Sequence, residues 1–301
     1  MLDYSLLAAL AAVVRERSFE RAARALHVSP SAVSQRIKLL EQRLGQVLVV
    51  RGPPCEPTEA GRLLCRHVEQ VGMLEQDLLT QMPALAPDGM GRITLRLAVN
   101  ADSLATWFVP AIAAFAASES ALLDLSLEDQ AHTAERLRSG EVLAAVTDLA
   151  EAVQGCRSLP LGSMRYVATA SPAFIQRYFP DGVTPQALAA APCLCFNRQD
   201  RLQARWVEQH WAAAPAMPTH WLPSSQAFVD AACAGLGWGM NPAAAVAQDL
   251  AEGRLQLLRP DAALLLPLYW QTPRLALPML ERLTRAVLSA AQEGLESDGT
   301  A

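Results

Sequence analysis

The chain has 301 residues, 51% hydrophobic and 18% charged, which supports packed cores in two or three domains and is richer in apolar residues than a disordered chain. Its net charge of −5 is uneven: residues 1–60 carry +2 and the rest −7, a weakly basic front on an acidic body. No apolar run reaches the ~18 residues of a membrane span, and Met1-Leu2-Asp3-Tyr4 has an acid where a signal peptide has bases, so a cytoplasmic protein with no membrane partner is expected.

Leu6, Leu7, Leu10, Val13 and Val14 recur at helical spacing and give a first helix one core face. Ser18 is placed to cap a second helix over Phe19–Leu26, whose Ala22-Ala23 pair permits close packing. After a break at His27-Val28, Ser29 caps a third helix. Pro30 sits in its first turn, where a missing N–H costs nothing. Gly45 ends that helix after Leu44. Val33, Ile37, Leu40 and Leu44 share one stripe and are expected to face the core. Ser31, Gln35, Lys38 and Gln42 project from the other side, with Ser34 at its edge. Hydroxyls and an amide followed by cations suit a helix that enters the major groove of double-stranded DNA. Ser31, Ser34 and Gln35 are candidates for reading bases, Arg36 and Lys38 for holding phosphates. Val47 to Arg51 reads as a strand and Gly52 to Pro57 as a turn-rich loop. Together they form a β-wing that brings Arg51 to the DNA backbone. Residues 1–58 are thus expected to be a winged helix-turn-helix domain, mainly α.

Thr58 caps a long helix running to about Met82, with Leu64, Val68, Val71, Leu74 and Leu78 in one narrow stripe. Such a stripe fits pairing with a second copy, which would set two reading helices on neighbouring half-sites. Packing against its own domain is the alternative. Pro83, Pro87, Gly89 and Gly91 mark a hinge, so residues 59–91 form a linker unit.

From Arg92 strands alternate with helices. Strands are expected at Ile93–Val99, Leu122–Leu127, Val142–Thr147, from Tyr166, near Cys193–Phe196, Thr219–Leu222, Gly237–Met240 and Leu264–Trp270. Helices are expected at Leu104–Ala117, Thr133–Arg138 and from Leu275 to about Ala291. The alternation implies parallel sheets with helices on both faces. Residues 92–301 then make two α/β lobes: one of about 92–163 and 266–301, the other of about 164–265. Ligands in such folds sit beyond the carboxyl ends of strands. Those ends carry Asn100, Asp102 and Ser103; Glu128 and Asp129; Thr147 and Asp148; Phe196 and Asn197; and Ser224 and Ser225. The acids would favour a cationic group, and the hydroxyls and helix-start N–H groups a carboxylate. A basic amino acid has both. The competing reading makes Asp102, Ser103 and Ser225 helix caps and the acids solvated.

No catalytic constellation is visible. His27, His67, His132, His210 and His220 are scattered, and there is neither a nucleophile elbow nor a phosphate loop. Gly235-Leu236-Gly237-Trp238-Gly239 lacks dinucleotide spacing. Cys55, Cys65, Cys156, Cys193, Cys195 and Cys233 include no C-x-x-C pair, so free thiols and no metal or cofactor are expected.

Ser18-Phe19-Glu20-Arg21-Ala22-Ala23, Ser31 through Glu41, and Pro57-Thr58-Glu59-Ala60-Gly61 resemble the LysR-type regulators, and the resemblance runs the length of the chain. It implies a winged domain, a linker helix and a periplasmic-binding-protein-like effector domain. It also implies dimers or tetramers and RNA polymerase as a partner. Ser29 through Arg36, Ala98 through Trp107, and Gly235 through Gly239 look most like the ArgP/LysG branch. That likeness implies an activator of a basic amino acid exporter gene with lysine or arginine as co-effector.

Overall fold

The computed structural model describes residues 2–82, 92–119, 121–127, 130–211 and 213–297, the side chains of Thr80 and residues 130–132 excepted. The hinge residues Pro83, Pro87, Gly89 and Gly91 lie outside the described residues, as do Glu128 and Asp129.

Helices α1 (Tyr4–Glu16), α2 (Phe19–Ala25) and α3 (Pro30–Leu44) close on Leu7, Leu10, Val13, Ala22, Val33 and Ile37, all fully buried. Ser18 and Ser29 cap α2 and α3 by accepting the N–H of Arg21 and Ala32, and Gly45 ends α3 at φ +68°. The α3 stripe is buried only as far as Leu40. Leu44 is 39% exposed because the last turn passes the core, which Leu48 and Val49 fill instead. Strand β1 (Val49–Val50) pairs antiparallel with β2 (Glu56–Pro57), so the wing is shorter than the strand expected over Val47–Arg51. The Glu41 carboxylate accepts the Leu48 N–H at 2.8 Å and ties the wing to α3.

Thr58 caps α4 (Glu59–Gln81). Its stripe divides. Leu64 and Val68 pack on the N-terminal core, as the own-domain alternative required. Leu74 and Leu78 are each 50% exposed, while Met73, on another face, is buried in the C-terminal core. Gly61 makes the tightest approach: a Cβ there would lie 2.1 Å from the Leu48 carbonyl oxygen. Gly61→Ala is expected to destabilise the N-terminal domain by about 1–3 kcal/mol. An unchanged melting curve would show that α4 can shift freely.

The rest of the chain runs β3 (Ile93–Val99), α5 (Ala101–Ser103), a π-helical turn (Leu104–Phe108), α6 (Val109–Ser118), β4 (Ala121–Leu127), α7 (Gln130–Ser139), β5 (Ala144–Thr147) and β6 (Cys156–Ala170). It continues through α8 (Pro172–Tyr178), α9 (Pro185–Ala190), β7 (Cys193–Cys195), α10 (Leu202–His210), β8 (Thr219–Trp221), α11 (Ser225–Cys233), β9 (Gly239–Pro242), α12 (Ala243–Ala251), β10 (Gln256–Leu257), β11 (Ala263–Pro273) and α13 (Pro278–Gly294). Among the described residues, the strands that pair in parallel are β4-β3-β5 and β7-β8, with an isolated parallel bridge from Cys193 to Trp238. The expectation of wholly parallel sheets fails at β6 and β11. These two long strands pair antiparallel from Ala263↔Val167 to Pro273↔Cys156, and β5, β9 and β10 add to them antiparallel. One seven-stranded sheet therefore spans most of this half. Its β6 begins ten residues before Tyr166, where a strand was expected to start, and Gly162 at φ +113° lets it pass the Glu296 carbonyl.

The helical stretch 101–118 has the length and mean hydropathy (1.2) of a membrane span, although Asp102, Ser103, Thr106 and Ser118 interrupt its apolar run. Trp107, Phe108, Ala111 and Phe115 instead bury one face of it with Leu283, Val287 and Ala291 of α13.

Candidate functional site

Strand β3 ends at Val99, and the Asn100 side chain accepts the Ser103 N–H at 2.7 Å, turning the chain into α5. That turn sets Asp102 in the wall of a cavity of about 620 Å³. One Asp102 oxygen accepts the Tyr166 hydroxyl at 2.8 Å, and the other accepts the Ser225 hydroxyl at 2.7 Å. Asp102 therefore joins α5, β6 and α11 across the cleft. Burial pushes its carboxyl above the usual aspartate range. The two hydrogen bonds oppose that rise, and the charge of Asp200 adds to it. Burial and the neighbouring Asp102 raise the Tyr166 phenol well above its ordinary value, so it stays a donor at neutral pH.

The segment after β7 supplies the facing wall. Asn197 accepts the N–H groups of Gln199 and Asp200, and Asp200 accepts those of Phe196 and Leu202. This tight turn brings Phe196, Asn197 and Asp200 to the cleft, and Arg205 follows from α10. Asn241 of β9 lines the base and donates to Thr169 Oγ1 at 2.9 Å.

Of the candidates read from the sequence, Asn100, Asp102, Phe196, Asn197 and Ser225 line this cavity. Four do not. Ser224 caps α11 by accepting the Ala227 N–H, and Thr147 accepts the Leu149 N–H in a turn. Ser103 is buried behind the wall. Asp148 stands off it, its carboxyl raised by burial and drawn down by the charge of Arg205. Ser224 and Thr147 thus take the local backbone roles that compete with ligand roles for short polar side chains. Glu128 and Asp129 lie outside the described residues. Tyr166, Asp200, Arg205 and Asn241 escaped sequence reading. Only the Asn197…Asp200 spacing, typical of a side-chain-capped turn, could have signalled one of them.

On the N-terminal domain, Ser31, Gln35 and Lys38 are exposed along α3, with Ser34 and Arg36 half-buried beside them. The Ser31 hydroxyl lies 2.9 Å from that of the cap, Ser29. Arg51 is exposed on the wing, its guanidinium 5.1 Å above the Phe19 ring. Among the described residues no group of three His, Cys, Asp or Glu side chains is placed to hold a metal, and all six cysteines are free.

Two family descriptions match. Residues 4–62 match the bacterial regulatory helix-turn-helix protein, lysR family, and residues 89–292 match the LysR substrate binding domain. The chain belongs to the LysR family. This LysR-type protein is 47% identical to the HTH-type transcriptional regulator ArgP of Pseudomonas fluorescens over 98% of its own length and 99% of that relative's. The crystal structure of ArgP from Mycobacterium tuberculosis superposes with TM-score 0.83 at 46% identity, over 99% of this chain and all of the other. Full-length LysG from Corynebacterium glutamicum, with bound effector Arg, superposes with TM-score 0.74 at 39% identity, over 98% of this chain and all of the other. This LysR-type chain is thus a DNA-binding transcriptional regulator of the ArgP/LysG branch.

Proposed function

We propose that this regulator binds arginine or lysine in the cleft around Asp102, and that occupancy sets how it holds DNA. The observation that carries the reading is the mixed charge of one small cavity. Asp102 and Asp200 suit the cationic end of the ligand, and Arg205 suits its carboxylate. The arginine named in the related LysG structure supports the same class. The regulator acts as a homodimer or homotetramer, engages RNA polymerase as an activator of a basic amino acid exporter gene, and carries no catalytic step. The exposed Leu63, Leu74 and Leu78 of α4 and Val109 of α6 support self-association.

Calorimetry with arginine, lysine and an anionic aromatic, together with footprinting of the DNA beside its own gene, tests this reading. Heat with a basic amino acid and a changed footprint are expected. Heat with the aromatic alone points to another effector, and a footprint indifferent to every ligand points to a constitutive repressor. For the reading helix, Gln35→Ala is expected to reduce discrimination between operator and random DNA by about 1–3 kcal/mol. An unchanged specificity ratio removes Gln35 from base reading.

A further inference from the structure

Two elements leave the ligand cleft and each is tied to the linker helix, one directly and one through α13. Strand β3 reaches the cleft at Asn100. Three residues into it, the Arg96 guanidinium pairs with Glu69 of α4. The helical stretch 101–118 carries Asp102 at its first turn and is followed by Glu119, roughly 25 Å from Asp102 at 1.5 Å per residue. Glu119 accepts from Arg282 Nη2 at 3.1 Å, and the same nitrogen donates to Asp77 of α4 at 2.6 Å. The second Asp77 oxygen accepts the Met279 N–H in the first turn of α13 at 3.3 Å. The Asp77 and Glu119 side chains are only 8% and 10% exposed, so both carboxylates are largely withdrawn from water. Met73, 1% exposed, packs into the effector core between the two polar contacts. A packed helix transmits displacement along its axis, because interiors deform little. The stretch is regular except at its π-turn, next to the cleft.

We propose that Glu69–Arg96 and Asp77–Arg282–Glu119 are a pair of clamps through which the effector cleft positions α4, and with it the DNA-reading domain. They are positioning residues and touch neither ligand nor DNA. The proposal rests on the basic amino acid reading of the cleft.

Hydrogen exchange of the full-length protein, with and without arginine, tests it. In the unaltered protein, arginine is expected to change protection in the cleft segments 101–118 and 196–205 and also in α4. In Asp77→Asn, and separately in the neutral pair Glu69→Gln with Arg96→Gln, the cleft change is expected to remain and the α4 change to be lost. Melting curves report whether either variant is folded, and the second keeps the test alive if the first is not. Allosteric couplings run to about 5–150-fold in affinity, and in the variants the effect of arginine on DNA affinity is expected to fall toward unity. An α4 response that persists in a folded variant overturns the clamps, as does a cleft response without an α4 response in the unaltered protein. No cleft response at all overturns the effector reading, and the clamps with it.

Discussion

Asp102→Asn is expected to weaken arginine binding at least about 30-fold. Removing one partner of a buried, hydrogen-bonded charge pair costs about 2–5 kcal/mol. The amide keeps the shape, but only its oxygen can accept, from Tyr166 or from Ser225, and its NH2 faces the other hydroxyl, so the variant removes the charge together with one of the two hydrogen bonds. Isothermal titration reads the effect directly, and a variant that binds arginine as tightly as the parent removes Asp102 from the site. The pH dependence follows from the raised carboxyl. In the unliganded protein Asp102 holds its proton above the ordinary aspartate value of 3.8, and it must lose that proton before a guanidinium can pair with it. Arginine affinity is therefore expected to be flat at high pH and to fall as pH drops through the raised value, with proton release on binding in that window. Stability of the unliganded protein moves the opposite way. A carboxyl whose folded pKa is raised binds its proton more tightly folded than unfolded, so its contribution grows as pH falls through that window. Glu69 and Asp148, also raised by burial, push in the same direction. Affinity that stays constant down to the ordinary carboxylate range contradicts a role for an ionised Asp102.

A second large effect is expected from Leu74→Glu combined with Leu78→Glu. Both side chains are half-exposed on α4, on a surface that neither domain covers. Two buried carboxylates in place of two leucines at a helix–helix contact should dissociate the oligomer, read by sedimentation. Loss of paired binding then lowers affinity for a two-half-site operator by about 10²–10⁴-fold, the usual gain from linked binding. A monomer that keeps full operator affinity, or an oligomer that survives both changes, places the contact elsewhere.

The winged domain was legible because its signals are local. Caps at Ser18, Ser29 and Thr58, the glycine stop at Gly45 and the stripe Val33, Ile37, Leu40 each act within one turn or one helix. The cleft was half legible. Asn100, Asp102 and Ser225 lie at element starts, which a sequence marks. Tyr166 and Arg205 lie inside a strand and a helix, and only the assembled fold turns them to the cavity. The same limit applies to strand direction. Alternation of strands and helices cannot distinguish a parallel crossover from a strand that continues past its lobe, so the long β6–β11 pairing was invisible. The α4 stripe shows a further ambiguity: one period serves Leu64 and Val68 inside the domain and Leu74 and Leu78 outside it.

That long pairing decides how this sensor can be transplanted. Dividing residues 92–297 after 163 and after 265 severs both strands beside the Met164↔Leu266 pair, leaving each fragment with open ladder edges. A chimera that borrows one lobe from a relative would have to match the other strand by strand. The portable unit is the whole of 92–297. For a reporter built by grafting this specificity onto another reading head, the junction belongs upstream of Arg92, with Glu69, Asp77 and the rest of α4 carried along with the graft or rebuilt to meet it.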